Sequence, residues 1–289
     1  MRELAMRDRV GLGYRPELAA SILAHHERID VVEVILDDYV AAPRKHLRAL
    51  RTLATQLPVA LHGVGLGLAS TAAVDARRLD GVARMVGAIE PESWSEHLAF
   101  VRAGGIEIGH LAAPPRTAAT VEGAARNLAR ARAVVGSAPL VENVATLLEP
   151  PGCDRDEATW VAETLDASGC DLLLDLHNLH ANATNFGFDA RGFLARVPAE
   201  RIAAVHLSGG HLVSAGDGTT RLLDDHLHDV PDPVYTLLAD VAARAPRPLT
   251  VVLERDGAYP PFGCLVAQLD RARTALREGR ARRGLQSAA

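Results

Sequence analysis

The sequence predicts a single (β/α)8 TIM barrel with a metal site at the C-terminal face of its strands, on three observations. Eight short runs rich in Val, Leu, Ile and Ala recur along the 289 residues, most of them separated by a segment with helical spacing. The runs are not broken by polar alternation, which is how strands buried on both faces read. Six of the eight stop on His, Asp or Glu, and in a parallel barrel the strand C-termini converge on the face where such enzymes build their sites. The expected organisation is one catalytic domain over residues 1–278 and a disordered, Arg-rich tail over 279–289.

VGLGY (10–14) is the first strand, followed by a helix in PELAASILAHHE with Leu18, Ile22 and Leu23 at helical spacing. VVEVI (31–35) leads through an acidic loop to the helix HLRALRTLATQL, striped by Leu47, Leu50, Leu53, Ala54 and Leu57. PVALH (58–62) runs into GVGLGLAS, which lacks the Lys and the spacing of a phosphate cradle and reads as a tight turn. A helix follows from about Asp75 to Ile89, then a strand near SWSEHLAF and an irregular stretch, GGIEIGHLAAPPRT. TVEGAARNLARARAVVG is a helix whose stripe is Val121, Ala124, Ala125, Leu128, Ala131 and Val135, with Gly136 as its C-cap. APLVEN and CDLLLDL are strands flanking the helix DEATWVAETLDASG, and RIAAVHLSG and PLTVVLE are the last two.

Composition narrows the class. With 48% hydrophobic and 23% charged residues the chain reads as an ordinary soluble domain, and no apolar run approaches the roughly 20 residues of a membrane span. The opening MRELAMRDRVGLGY holds no signal-like apolar segment, so cytoplasmic residence without a membrane partner is the expectation. Cys153, Cys170 and Cys264 are odd in number and form no CxxC, which fits reduced bystanders better than a disulfide framework or a thiolate zinc site. A net charge of −5 and a pI near 6.2 argue against a nucleic-acid partner.

The candidate ligands are His62, His97, Glu142, Asp175, His206 and Glu254 at the strand ends, with Asp224 and His226 in LLDDH. Each alone could be a core histidine or a helix cap. Together they hold too much buried charge to leave uncompensated. A first-row metal takes roughly four to six ligands, so this set suggests two or three ions bridged by carboxylate. Asp224 and His226, two apart, can reach one ion from an extended segment, although Asp225 and His228 beside them could be confused with the pair. His177 or Asn178 could complete a third site, with His180 behind it. Imidazole and carboxylate without thiolate suit iron, zinc or manganese.

HGVGL (62–66), SEHL (95–98), ENV (142–144), LLLDLHN (172–178), NATNFGFD (182–189), VHLSGGH (205–211), DDHLHDVPDPVY (224–235) and LERD (253–256) occur in one order. In that order the set resembles the multinuclear non-heme iron-dependent oxidases, a TIM-barrel family formerly known as a domain of unknown function, over roughly residues 8–275. The resemblance implies two or three irons, mixed-valent Fe(II)/Fe(III), and O2 as cosubstrate. It implies a ribosomally made precursor peptide as substrate, modified at side chains such as Cys or in its C-terminal region, with a small leader-binding protein as a further partner. Carried onto this chain, it places one iron on His62, His97 and Glu142, and a second on Glu142, Asp175, His206 and Glu254. A third would sit on Asp224 and His226 with His177 or Asn178. Arg15, Asn143 and Asn182 are candidates for touching substrate or steadying the ligands. The chain departs from the family where it has Asp175-Leu176-His177-Asn178 in place of the commoner D-x-N-N, and His180 in place of Tyr.

Three other functions compete. A tri-zinc AP endonuclease-like phosphodiesterase would have His at position 178, and a basic, aromatic-rich groove, where this chain has Asn178 and 4% aromatics. A sugar isomerase or epimerase would have more carboxylates and fewer imidazoles. A non-catalytic, metal-dependent member of a peptide-maturation complex is the third.

Overall fold

The computed structural model describes residues 7–214 and 218–287. The barrel strands are β1 (Arg9–Gly13), β2 (Val32–Ile35), β3 (Val59–Gly63), β4 (Ser93–His97), β7 (Leu140–Glu142), β8 (Leu172–Asp175), β9 (Ile202–Leu207) and β12 (Thr250–Leu253). They close in the order β1-β12-β9-β8-β7-β4-β3-β2, and the fold is a TIM barrel. The remaining strands pair as two hairpins, β5 (Phe100–Ala103) with β6 (Ile106–Ala112) and β10 (Gly210–Ser214) with β11 (Thr220–Asp224). The helices are α1 (Ala19–Ala24), α2 (Asp37–Val40), α3 (Arg44–Ala54), α4 (Ala76–Ile89), α5 (Ala118–Val135), α6 (Glu157–Ser168), α7 (Leu176–Phe186), α8 (Ala190–Arg196), α9 (Asp232–Arg244) and α10 (Phe262–Ser287). Among the described residues no helix is long and apolar enough to cross a membrane.

The chain gathers into two compact units. One comprises Val32–Val144 and Pro150–Leu173. Its parallel ladder runs from β2 through β3, β4 and β7 to β8, in registers that pair Ile35 with His62 and His97 with Glu142. The side chains of β3 are buried along the whole strand, as the unbroken apolar run predicts. Helix α5 buries Val121, Ala124, Leu128 and Ala131 of its expected stripe, with Ala125 and Val135 half-buried, and ends on Gly136 at φ 87°, the left-handed C-cap that glycine adopts without penalty. Its buried face also includes Asn127, which the apolar stripe passed over. The Asn127 amide donates to the Leu68, Ser70 and Ala72 carbonyls, and its oxygen accepts from Val74 N–H. One side chain thus fixes the Gly-rich loop that follows His62.

The other unit comprises Met1–Val31, Ala145–Glu149 and Leu174–Ala289. Its ladder pairs β1 with β12 and β12 with β9. Leu23 is 49% exposed while Leu18 and Ile22 are buried, because the short α1 turns only part of its expected stripe inward.

Two expectations need correction. The stretch read as irregular after the fourth strand is a hairpin: Ala103 pairs with Ile106 across Gly104 and Gly105, both at positive φ. Two glycines at positive φ make the two-residue turn whose twist matches the strands. The end of the chain is not a disordered tail, since α10 continues through Ser287; residues 288 and 289 lie outside the described residues. Packing explains this. Arg280 donates to both oxygens of Asp8 at 2.6 and 2.8 Å and to the Ala242 and Arg247 carbonyls at 2.9 and 2.8 Å. Gly279 lies so close to α9 that a Cβ there would strike the Ala239 carbonyl and the Ala242 methyl.

Candidate metal centre

In the first unit, β3, β4 and β7 present His62, His97 and Glu142 at or beside their C-terminal ends. All are buried, at 2%, 8% and 1% exposure. The Nε2 atoms of His62 and His97 each lie 3.4 Å from the same oxygen, Glu142 Oε2. The two rings meet edge to face with centroids 4.6 Å apart.

Their other nitrogens fix the tautomers. His97 Nδ1 lies 3.2 Å from the Gly63 carbonyl, which can only accept, so the proton sits on Nδ1. His62 Nδ1 lies 2.7 Å from Ser95 Oγ, whose hydroxyl donates onward to the Leu61 carbonyl, so His62 donates as well. With each ring neutral, both Nε2 lone pairs face a carboxylate oxygen in a buried space. Three electron-pair donors aimed at one another are stabilised by a cation between them, and hydrogen-bonded Nδ1–H groups are how metal-ligating imidazoles are held.

Nearby carboxylates have different tasks. Glu96 accepts from Leu66 N–H and His97 N–H, both at 3.0 Å, and so fixes backbone around the trio. Asp37 accepts from Val64 N–H at 2.8 Å; burial, and then the charge of Glu96, raise its pKa above the usual carboxylate value. Glu33 was missed by the strand-end rule because it sits within β2. It is 5% exposed and carries an oxygen within 4.8 Å of a His62 ring nitrogen. A glutamate inside the apolar run VVEVI was the available signal.

In the second unit, Asp175, His206 and Glu254 each offer a ligand atom within 4.8 Å of the others, all of them buried. His206 Nδ1 is 3.1 Å from Glu254 Oε2. Asp175 also N-caps α7, its Oδ1 accepting from Asn178 N–H at 2.7 Å.

Asp224 ends β11 and is embraced by imidazoles. His177 Nδ1 lies 2.6 Å from its Oδ1, which also accepts from Ser208 Oγ at 3.2 Å, and His226 Nε2 lies 2.9 Å from its Oδ2. His226 Nδ1 faces Asp256 at 3.2 Å and Glu254 at 3.6 Å. Its backbone is left-handed, φ 56°, held by His226 N–H to the Gly209 carbonyl and Asp256 N–H to the His226 carbonyl, both 3.0 Å. Such a conformation costs a non-glycine residue on the order of 1–3 kcal/mol, and it concentrates at functional sites. Burial disfavours the His226 imidazolium, but the Glu254 and Asp224 carboxylates overrule it and hold the pKa well above its usual value. Burial likewise works to raise Asp224, and His226 and His177 reverse it, leaving the carboxyl below its usual range.

His177 and Asn178 are both buried, at 0% and 4% exposure, and His180 packs near the His177 ring at 6.2 Å between centroids. Burial and then the His177 charge lower the His180 pKa. Arg15 ion-pairs with Asp256 and donates to the Tyr14 carbonyl at 2.8 Å, while Asn182 accepts from Thr146 N–H at 2.9 Å. Asn143 is buried at 2% exposure beside Glu142 in sequence. Asp225 and His228 do not join Asp224: they pair with each other, as Asp225 does with His211.

Among curated relatives, the UPF0276 protein of Streptomyces avermitilis is 36% identical over 275 residues, covering 92% of this chain and 54% of that protein. The chain therefore spans about half of that relative's length. The UPF0276 protein of Bordetella bronchiseptica is 32% identical over 271 residues, covering 94% of this chain and 93% of that protein. Among solved structures, an L-ribulose 3-epimerase shares the fold with a TM-score of 0.60 at 14% identity, over 97% of this chain and 98% of that one. Endonuclease IV from Thermus thermophilus does so with a TM-score of 0.54 at 15% identity, over 97% of this chain and 100% of that one. Residues 9–277 match the family described as RiPP precursor modification enzyme MbnB/TglH/ChrH, and the chain belongs to that family.

Proposed function

We propose that this chain is an iron- and O2-dependent oxidase that modifies a ribosomally made precursor peptide, at Cys side chains or in the C-terminal region, aided by a small leader-binding protein. The observation that carries the metal part of this reading is the trio in which two proton-fixed imidazoles turn their Nε2 lone pairs onto Glu142 Oε2. Family membership supports the peptide part.

The residues fit such a centre. His62, His97 and Glu142 would hold one iron; Asp175, His206 and Glu254 would hold a second. Asp224 and His226 would hold a third. Its further ligand would come from His177 or Asn178, both of them buried; His177 also meets Asp224 directly, Nδ1 to Oδ1 at 2.6 Å. Iron held there would supply the redox chemistry with O2. The chain's own work is positional. Ser95 and the Gly63 carbonyl fix two rings, Asp175 is held by the N-terminus of α7, and burial excludes bulk water from the ligands. Arg15, tied to Asp256, steadies the carboxylate that faces His226.

Protein purified without oxygen is expected to contain two or three irons per chain in its barrel mouth and to consume O2 only when its precursor peptide is present. Zinc in place of iron together with cleavage of abasic DNA would replace this reading with the phosphodiesterase one. Epimerisation of a ketose would replace it with the sugar-enzyme one.

A further inference from the structure

Among the described residues, one group of metal-capable side chains lies outside the set described above. His211 belongs to β10, and Asp225 and His228 follow β11. The hairpin register pairs Gly210 with Asp224 and His211 with Leu223, which sets His211 beside the segment carrying Asp225. Two glycines permit the approach: a Cβ at Gly209 would strike the His228 and Asp229 carbonyls, and one at Gly210 would strike the Leu223 carbonyl. Side chains alternate along an extended segment, and Asp224 accordingly meets His177 and His226 whereas Asp225 meets His211 and His228.

We propose that His211, Asp225 and His228 form an additional, solvent-open site for a first-row divalent cation such as zinc or iron(II). The donor set is two imidazoles and one carboxylate, which suits these metals and leaves positions for water. The arrangement exists before any ion binds. Asp225 Oδ2 lies 2.8 Å from His211 Nδ1, Asp225 Oδ1 lies 3.0 Å from His228 Nδ1, and the two rings stack at a tilt with centroids 4.9 Å apart. Ligand atoms around a tetrahedral zinc stand roughly 3.3 Å apart. The three donors already lie within 4.8 Å of one another, so small rotations of the rings close the site. Both rings are about half exposed, with side-chain exposures of 44% and 48%, while Asp225 at 13% is further anchored by Leu227 N–H at 3.0 Å. A ring in contact with solvent moves its proton to Nε2 freely, so each Nδ1 can become a ligand at the cost of a tautomer change. Binding here is independent of whether the barrel mouth holds iron or zinc, and it would add one exchangeable ion to any metal count of the whole protein.

Equilibrium dialysis of the metal-replete protein against micromolar zinc tests this. The native chain is expected to take up one more exchangeable zinc than the His211→Asn/His228→Asn double variant, with the iron content of the two unchanged. Asp225→Asn should weaken that zinc by roughly tenfold or more, since losing a ligand costs no less than losing a residue that orients one. Circular dichroism and iron content establish that each variant is folded, and His228→Asn alone provides a milder substitution of an exposed ring. Equal zinc uptake by the native chain and the folded variants overturns the proposal.

Discussion

The trio on β3, β4 and β7 and the Asp224 group around the β10–β11 hairpin solve the same electrostatic problem in opposite ways. In the trio, Ser95 and the Gly63 carbonyl take the imidazole protons on the outer side, so two lone pairs are left facing Glu142. Around Asp224 the protons stay inside: His177 and His226 both contact the carboxylate, and the His226 pKa is raised against the effect of burial. The first arrangement could hold a metal cation. The second holds a proton, which a cation bound to Asp224 and His226 would have to displace. The difference follows from the neighbours, because the Nδ1 atoms of His62 and His97 meet a hydroxyl and a carbonyl whereas His226 meets carboxylates at both ring nitrogens.

The largest effect that can break this comparison is at Glu142. Glu142→Ala removes the oxygen shared by both rings, and we expect peptide-dependent O2 consumption to be abolished, with loss of metal by elemental analysis and an unchanged far-ultraviolet circular dichroism spectrum. Asp224→Ala should also abolish turnover but cost only about one metal per chain. Full activity in both variants would show that the ligand assignment is wrong. Ser95→Ala leaves every ligand in place and frees only the His62 tautomer; a loss of about 10–100-fold in metal affinity is expected, as for other residues that hold a ligand from behind. An unchanged metal titration would mean that backbone alone orients the ring.

The smallest effect is a pH dependence. Because the folded His226 pKa lies well above the usual value near 6.5, the ring is protonated at neutral pH in the metal-free chain, and its pairing with Asp224 contributes stability. That contribution is present below pH ~6.5 and is lost as pH rises through the raised pKa. Metal must displace this proton, so affinity at the Asp224 group should rise by about tenfold per pH unit until that pKa is passed. A competition titration with a chromophoric chelator between pH 6 and 8 measures the slope, and a flat profile would place the proton elsewhere.

Much of the barrel was legible because its strands are buried on both faces and announce themselves as apolar runs ending on a polar residue. His62, His97, Glu142, Asp175 and His206 close or nearly close their strands, and Glu254 follows β12. The hairpins were harder to read. Gly104-Gly105 is a two-residue turn signal, yet the flanking residues FVRA and IEIGHLA do not alternate cleanly, since much of β6 is exposed. Asn127 and Glu33 were passed over for a related reason: the stripe rule ranks a buried polar residue as an interruption, although a satisfied one can pin a loop or line a site. The Arg-rich end looked disordered by composition, and its helix depends on pairing Arg280 with Asp8, distant in the chain.

The sequence by itself determined the strand order and which strands end on His, Asp or Glu, because strand periodicity and residue identity are local properties. Tertiary structure decided which donors meet and in which protonation state. Nothing local distinguishes Asp224 from Asp225, or His226 from His228. Their separation comes from hairpin register and from two glycines that let backbone approach backbone, and the tautomers of His62 and His97 come from partners on other parts of the fold.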